Sequence, residues 1–166
     1  MIDELIVRMD KWLRDNRADY YTSLLAGTND EAFAEFEERF SLRLPGDFRK
    51  LYRWRNGQPA RQFASFQDNW MFASLNDVSE TKDMLDGMIG YDFEDPKWWR
   101  RGWVPFLANG SGDHLCVDLA AEDGGNPGQL IAFWHDDEER DIEYPSLADW
   151  LRELVESMEN GTLELA

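Results

Sequence analysis

The chain has one cysteine, Cys116, in 166 residues, so it can form neither an internal disulfide nor a cysteine-rich zinc site. It has two histidines, His114 and His135. Neither stands in a recognisable arrangement with a serine or with the cysteine, which leaves nucleophilic catalysis without its parts. Basic residues are scarce: 17 Lys and Arg face 34 Asp and Glu, a net charge of −17. Wrapping a nucleic acid or docking on an anionic bilayer needs a concentrated positive field, so nucleic acid and membrane are excluded as partners. No apolar run approaches the roughly 20 residues of a membrane span. No signal-peptide pattern opens the chain either, so the expected address is the cytoplasm.

What remains is a globular composition: 43% hydrophobic residues and an aromatic set of 8 Trp, 5 Tyr and 10 Phe, enough to build one core at this length. The acidity is uneven. Residues 1–62 carry 11 acidic and 11 basic side chains, residues 63–134 carry 12 and 4, and residues 135–166 carry 11 and 2. Some surface built from the second part of the chain therefore presents strong negative potential. Charge of this kind commonly serves only solubility; it also steers a basic partner toward a complementary face.

Leu5, Ile6, Met9, Trp12 and Leu13 recur at helical spacing and predict an amphipathic helix over 3–16. A shorter helix is expected over Asp19–Ala26. Thr28 with Glu31 forms a capping box, and Phe33, Phe36 and Phe40 stripe the helix that follows, a core face. Leu44-Pro45-Gly46-Asp47 breaks the chain before a helix carrying Phe48, Leu51 and Tyr52, which Asn56-Gly57 stops. Residues 61–75 suggest one or two strands. Asn76 is expected to cap a helix bearing Val78, Met84, Leu85 and Met88, and Tyr91–Arg101 is expected to be a loop.

From Trp103 the pattern is β. Trp103–Leu107, His114–Leu119 and Gln129–Trp134 read as strands joined by glycine-rich turns. Pro105 suggests an edge or a strand start, and the third and most apolar strand is expected at the centre. An acidic loop follows at Asp136–Tyr144. Ser146 with Asp149 opens a last helix whose Leu147, Trp150, Leu151, Leu154 and Val155 share a face. The fold class is therefore α+β: a single domain with a mostly antiparallel sheet, a meander at 103–135, packed on one face by N-terminal and C-terminal helices.

Few motifs carry chemistry. Cys116 lies within a strand, where a buried, inert thiol is expected, and the two histidines suit exposed or hydrogen-bonded roles better than metal ligation. Gly110-Ser111-Gly112-Asp113 lacks the lysine and the following helix of a phosphate-binding loop. Oxygen-rich stretches at Asp118, Glu122 and Asp123 and at Asp136–Glu139 suggest calcium only weakly, because neither has the ligand spacing of a calcium loop. Two carboxylates in a sugar-lined cleft would make a glycosidase, and Trp98-Trp99 could stack on sugar or anchor a loop to the core.

The ordered set of motifs resembles the SUKH superfamily, in its Smi/Knr-type branch. Phe33-x-x-Phe-Glu37, Leu44-Pro45-Gly-Asp-Phe48 and Asn56-Gly57 are similar to that family's opening. Val104-Pro105-Phe106, Gly112-Asp113, Leu115–Asp118, Ile131–His135 and Ser146–Leu151 are similar to its meander and closing helix. The resemblance spans about 30–156 of a single domain over 1–166, with 1–29 as a helical extension. It implies a non-enzymatic binding domain without cofactor or metal. In bacterial members it implies an immunity protein that neutralises a cognate toxin, often a nuclease, and in fungal relatives a role in cell-wall assembly. The expected partner is then a basic protein, a toxin domain, or, alternatively, components of envelope synthesis for which the chain acts as a regulatory scaffold. The expected contact surface comprises Asp92, Glu94, Asp95, Trp98, Trp99, Asp136, Asp137, Glu138 and Glu139. A small hydrolase using two carboxylates is the reading from a different class.

Overall fold

A computed structural model describes residues 2–166. Helix α1 (Ile2–Asn16) buries Ile2, Leu5, Met9 and Leu13 along one side, and α2 (Ala18–Ser23) follows directly. This second helix ends three residues earlier than the expected Ala26. The chain becomes extended at Leu24 and runs beside the end of the fourth helix, where Leu25 N–H donates to Gly57 O (2.9 Å) and Asn56 N–H to Leu25 O (3.1 Å).

Helix α3 (Asp30–Phe40) is capped by Asn29, whose side chain accepts from Ala32 N–H (3.0 Å), one residue beyond the expected Thr28. The Thr28 N–H is already committed to Tyr52 O. Helix α4 (Gly46–Trp54) starts after Pro45 as expected, and Glu37 fixes the intervening turn. One carboxylate oxygen of Glu37 accepts from Leu44 N–H (2.7 Å) and from the Arg49 guanidinium (2.6 Å). Burial raises the Glu37 pKa, but these donors outweigh it and hold the carboxyl below its ordinary range.

Helix α4 stops at Trp54, ahead of Asn56-Gly57, because Arg55 is extended and bridges Ala26. Gly57 has φ +71°, and a Cβ there would lie 2.5 Å from the Ala73 carbonyl carbon, so only glycine fits. The neighbouring Asn56 side chain accepts from Leu75 N–H (2.8 Å). The Asn-Gly pair thus joins the end of α4 to the start of a later helix.

Residues 61–75 contribute one two-residue strand, β1 (Met71–Phe72). Helix α5 (Leu75–Gly87) is capped by Ser74, not Asn76, through Asp77 N–H (3.1 Å). Then come β2 (Trp103–Ala108), β3 (His114–Asp118), β4 (Gln129–Phe133) and β5 (Ile142–Tyr144). They form an antiparallel sheet in the order β1-β2-β3-β4-β5. The expected central strand is displaced by one: β3 is the middle strand, because β1 pairs beyond β2 on one side as β5, from the end of the acidic loop, pairs beyond β4 on the other. Pro105 is the third residue of β2, an inner strand, so it lies near a strand start and at a register shift rather than on an edge. The β1 pairing stops at Leu107, so the missing proline N–H takes no bond from that ladder. Helix α6 (Leu147–Asn160) is capped as expected, with Ser146 Oγ accepting from Asp149 N–H (3.1 Å).

Alternation along the strands splits their side chains between two apolar clusters. Val104, Phe106, Leu115, Val117 and Leu130 face α1, α3, α4 and α6 in the main core. There Trp150 meets Phe106 edge-on at 5.2 Å and donates its indole N–H to Gln67 Oε1 (2.8 Å). Trp103, Cys116, Ile131 and Phe133 point the other way and pack with Leu85 and Trp99. Both faces of the sheet are therefore covered, not one as expected. Every residue of β3 and β4 is buried, a run too apolar to leave one side in water. The cover on the second face is the end of α5 and the tryptophan-rich segment 91–101.

Candidate functional site

Segment 91–101 turns back on itself at once. Phe93 N–H donates to Met88 O (3.0 Å) and Gly90 N–H to Phe93 O (3.0 Å), while Asp95 Oδ1 accepts from Lys97 N–H (2.9 Å). This folding separates the two adjacent tryptophans. Trp99 is 1% exposed, lies edge-on to Trp103 (5.4 Å) and Phe133 (5.2 Å), and donates its indole N–H to Asp86 Oδ1 (2.8 Å). Its assignment to the contact surface is corrected: it is a core anchor. Trp98 stays half-buried at the surface beside Phe93, with ring centroids 6.2 Å apart.

Asp86 also accepts from the ammonium of Lys82, whose side chain is wholly buried and bonds to Arg101 O as well. Burial pulls the Lys82 pKa down, against the attraction of Asp86. Lys82, Asp86 and Trp99 together pin the second-face segment to α5.

The loop 136–139 is brought against this segment by Arg140. Its guanidinium donates to Trp98 O from Nε (3.1 Å) and Nη2 (3.0 Å), and from Nη1 to the carbonyls of Asp137 (2.6 Å) and Glu139 (2.7 Å). The same group lies over the rings of Trp98 (4.8 Å) and Phe133 (4.6 Å). The side chains of Asp136, Asp137, Glu138 and Glu139 are left exposed beside Asp92, Glu94 and Asp95. Among the described residues, none of these seven carboxylates lies within ion-pair distance of a Lys, Arg or His.

Between the two loops is a notch of about 400 Å³ lined by Met88, Asp92, Phe93, Glu94, Asp95, Trp98 and His135. His135 is held by Asp113, whose Oδ1 accepts from the His135 backbone N–H (2.8 Å) and meets ring Nδ1 at 2.7 Å; Asp113 Oδ2 accepts from Asn109 (2.8 Å). The Asp113 carboxylate raises the imidazole pKa. Sequence reasoning missed Arg140, His135, Phe93 and Met88 here. Arg140 had a readable signal, the one basic residue amid Asp136–Glu139, Asp141 and Glu143.

His114, expected to be exposed or hydrogen-bonded, is buried, and its Nδ1 has no partner; burial pushes its pKa down to about 4. Cys116 is buried as expected, and burial raises its thiol pKa. The weakly suggested calcium set does not assemble. Asp118 accepts from Ala121 N–H (2.9 Å) and Gln129 Nε2 (3.0 Å), while Arg100 pairs with Glu122 and Asp123. Among the described residues, Asp113, His135 and Asp136 do bring possible metal-ligand atoms within 4.8 Å of one another, but Asp113 is already taken up by His135 and Asn109.

This is an α+β domain in which Glu37, Leu44-Pro45 and Asn56-Gly57 hold turns together. The chain belongs to the SMI1 / KNR4 family (SUKH-1), whose family model matches residues 27–153. It is similar to the protein described as "Cell wall biosynthesis/cell cycle regulator smi1" of Schizosaccharomyces pombe, 24% identical over 183 aligned positions covering 93% of this chain and 35% of the relative. It is also similar to "KNR4/SMI1 homolog 2" of Debaryomyces hansenii, 30% identical over 70 residues, 42% of this chain and 12% of that protein. The chain thus spans about a third or less of the length of these curated relatives. No helix among the described residues is long and apolar enough to cross a membrane.

Proposed function

We propose that this chain is a non-enzymatic protein-binding domain of the immunity type, which neutralises a basic toxin domain by occupying its phosphate-binding surface. One observation carries the reading: seven exposed carboxylates without ion-pair partners among the described residues flank a half-buried tryptophan on a platform clamped by Arg140. A nuclease site built to hold phosphates presents a concentrated positive field, and an acidic face of this kind competes for it. The negative field supplies on-rate and register, while the aromatic centre supplies most of the affinity. Family membership supports a binding role. A second reading, a regulatory scaffold in cell-wall synthesis, is favoured by the description carried by the fission-yeast relative.

The test is capture from the native cell with the tagged chain and with Asp136→Lys/Asp137→Lys/Glu138→Lys/Glu139→Lys, each eluate being identified by mass spectrometry. The expected result is a basic toxin domain held by the wild-type chain and lost by the variant, whose circular dichroism is unchanged. Co-expression of the wild-type chain alone then restores growth of cells making that toxin. Recovery of envelope-synthesis proteins with no toxin establishes the scaffold reading instead. A partner retained equally by both chains overturns the assignment of this face.

A further inference from the structure

We propose that the notch between Trp98 and His135 receives one arginine side chain of the basic partner, its aliphatic stem along Met88 and Phe93 and its guanidinium between Trp98 and the carboxylates of Asp92, Glu94 and Asp95. This rests on the reading of the acidic face as the docking surface and specifies what that surface recognises.

The volume, about 400 Å³, suits a side chain or small ligand rather than a second folded element. The lining has two kinds of wall. Met88, Phe93 and Trp98 are apolar or aromatic, whereas Asp92, Glu94 and Asp95 are exposed anions without ion-pair partners among the described residues. An apolar stem ending in a cation is the one protein side-chain type that satisfies both walls at once.

Arginine fits better than lysine for two reasons. Its planar, weakly hydrated group stacks on an indole and forks onto carboxylates, which a compact ammonium cannot do equally well. The fold also already places a guanidinium against one of these rings, since Arg140 lies 4.8 Å from the centroid of Trp98. The other charged groups nearby do not close the notch. Arg140 is committed to the carbonyls of Trp98, Asp137 and Glu139, and His135 is turned by Asp113. Lys97 is exposed and outside the lining. The site is preorganised, because Trp99 and the Phe93–Met88 turn hold the segment before any partner arrives.

The test is a titration of the full chain, its tryptophan indoles labelled with nitrogen-15, with the peptide acetyl-Gly-Gly-Arg-Gly-Gly-amide and its lysine and citrulline counterparts. The expected result is a saturable shift of the Trp98 indole N–H. The arginine peptide binds more tightly than the lysine one, and citrulline, isosteric but neutral, gives no saturable shift. Trp98→Leu, which lacks the reporting indole and is followed by isothermal titration calorimetry beside the wild-type chain, weakens arginine binding about tenfold, the scale of a partly desolvated cation–π contact. Asp92→Asn/Glu94→Gln/Asp95→Asn weakens it at least as much, with the buried Trp99 indole signal unmoved in both variants as the control for folding. Citrulline binding as well as arginine, or shifts confined to other parts of the surface, overturns the proposal. If the basic partner is still captured and still lost on reversal of 136–139 while the arginine peptide leaves Trp98 unshifted, this inference falls and the acidic-face reading stands. If capture is also insensitive to reversal, both fall.

Discussion

Replacing Arg140 with alanine is the sharpest perturbation of the platform. Its guanidinium makes four N–H···O contacts to three carbonyls, those of Trp98, Asp137 and Glu139, and covers two rings. A hydrogen bond to a charged group contributes about 1.5–3 kcal/mol. Asp137 and Glu139 are exposed, so water replaces the arginine at their carbonyls and little is lost there. The paired contacts to Trp98 O share one half-buried acceptor and count roughly once, at about 1.5 kcal/mol. The two ring contacts add about 0.5–1 kcal/mol together once the relief of desolvating the guanidinium is set against them. The net is roughly 2 kcal/mol, which for a chain of this length lowers Tm by about 4–8 °C.

The loss has a place as well as a size. Amide exchange should accelerate first in 92–98 and 136–140, where Arg140 is the tie, and stay slow in β3 and β4. Urea denaturation followed by tryptophan fluorescence gives the magnitude, and hydrogen-exchange mass spectrometry gives the location. Arg140→Lys, which keeps the charge without the fork, should recover less than half. An unchanged midpoint together with unchanged exchange around Trp98 would refute the claim that Arg140 holds the two loops together.

Three further outcomes follow from buried or clustered charge. His114 is buried with its pKa at about 4 against an ordinary 6.5. The unfolded chain therefore binds the proton more readily across that window, and stability falls as pH drops through it. Between pH 6.5 and about 5 the loss from this group is roughly 1.5 kcal/mol, and His114→Phe, which keeps the ring beside Phe133, should flatten that part of the urea-denaturation profile. Lys82→Met leaves the Asp86 carboxylate with only the Trp99 indole, and should cost roughly 3–5 kcal/mol in guanidinium chloride denaturation. Lys82→Met/Asp86→Asn should recover most of that, because an amide oxygen still accepts from Trp99. Stopped-flow association with the captured basic partner should slow at least tenfold from low salt to 0.5 M salt if the field of 136–139 steers the encounter, while a rate indifferent to salt removes steering from the account.

The helices were legible from their apolar periodicity, and the last of them from its cap as well. Ser146 and Asp149 form that cap, and α6 begins where they place it. The errors fall where a neighbouring segment outbids a local preference. Thr28 reads as a cap until Tyr52 claims its N–H, and Asn76 reads as a cap until Asn56, just beyond the end of α4, takes the N–H of Leu75. The last strand reads as loop for a related reason. Asp141-Ile142-Glu143-Tyr144 has the charge of a loop and yet pairs with β4, because an edge strand with one solvated face tolerates alternating acid where an inner strand would not.

The candidate site was legible in composition and not in geometry, and the tryptophan pair shows why. Adjacent residues in an irregular segment have no period to say which one faces inward, so Trp98 and Trp99 are equivalent in sequence and opposite in role. What separates them is the Asp86 carboxylate on α5, 13 residues away, which gives Trp99 a buried partner for its N–H. On the proposed reading, burying Trp99 is in turn what readies Trp98 for a partner. A lone exposed tryptophan on a mobile loop would lose entropy on binding, whereas one whose neighbour is locked into the core and whose carbonyl is held by Arg140 is already in place. The carboxylates follow the same logic. Excess negative charge alone gives solubility and a long-range pull, and it becomes selective only where a rigid aromatic surface stands among the anions to reward one shape of cation over another.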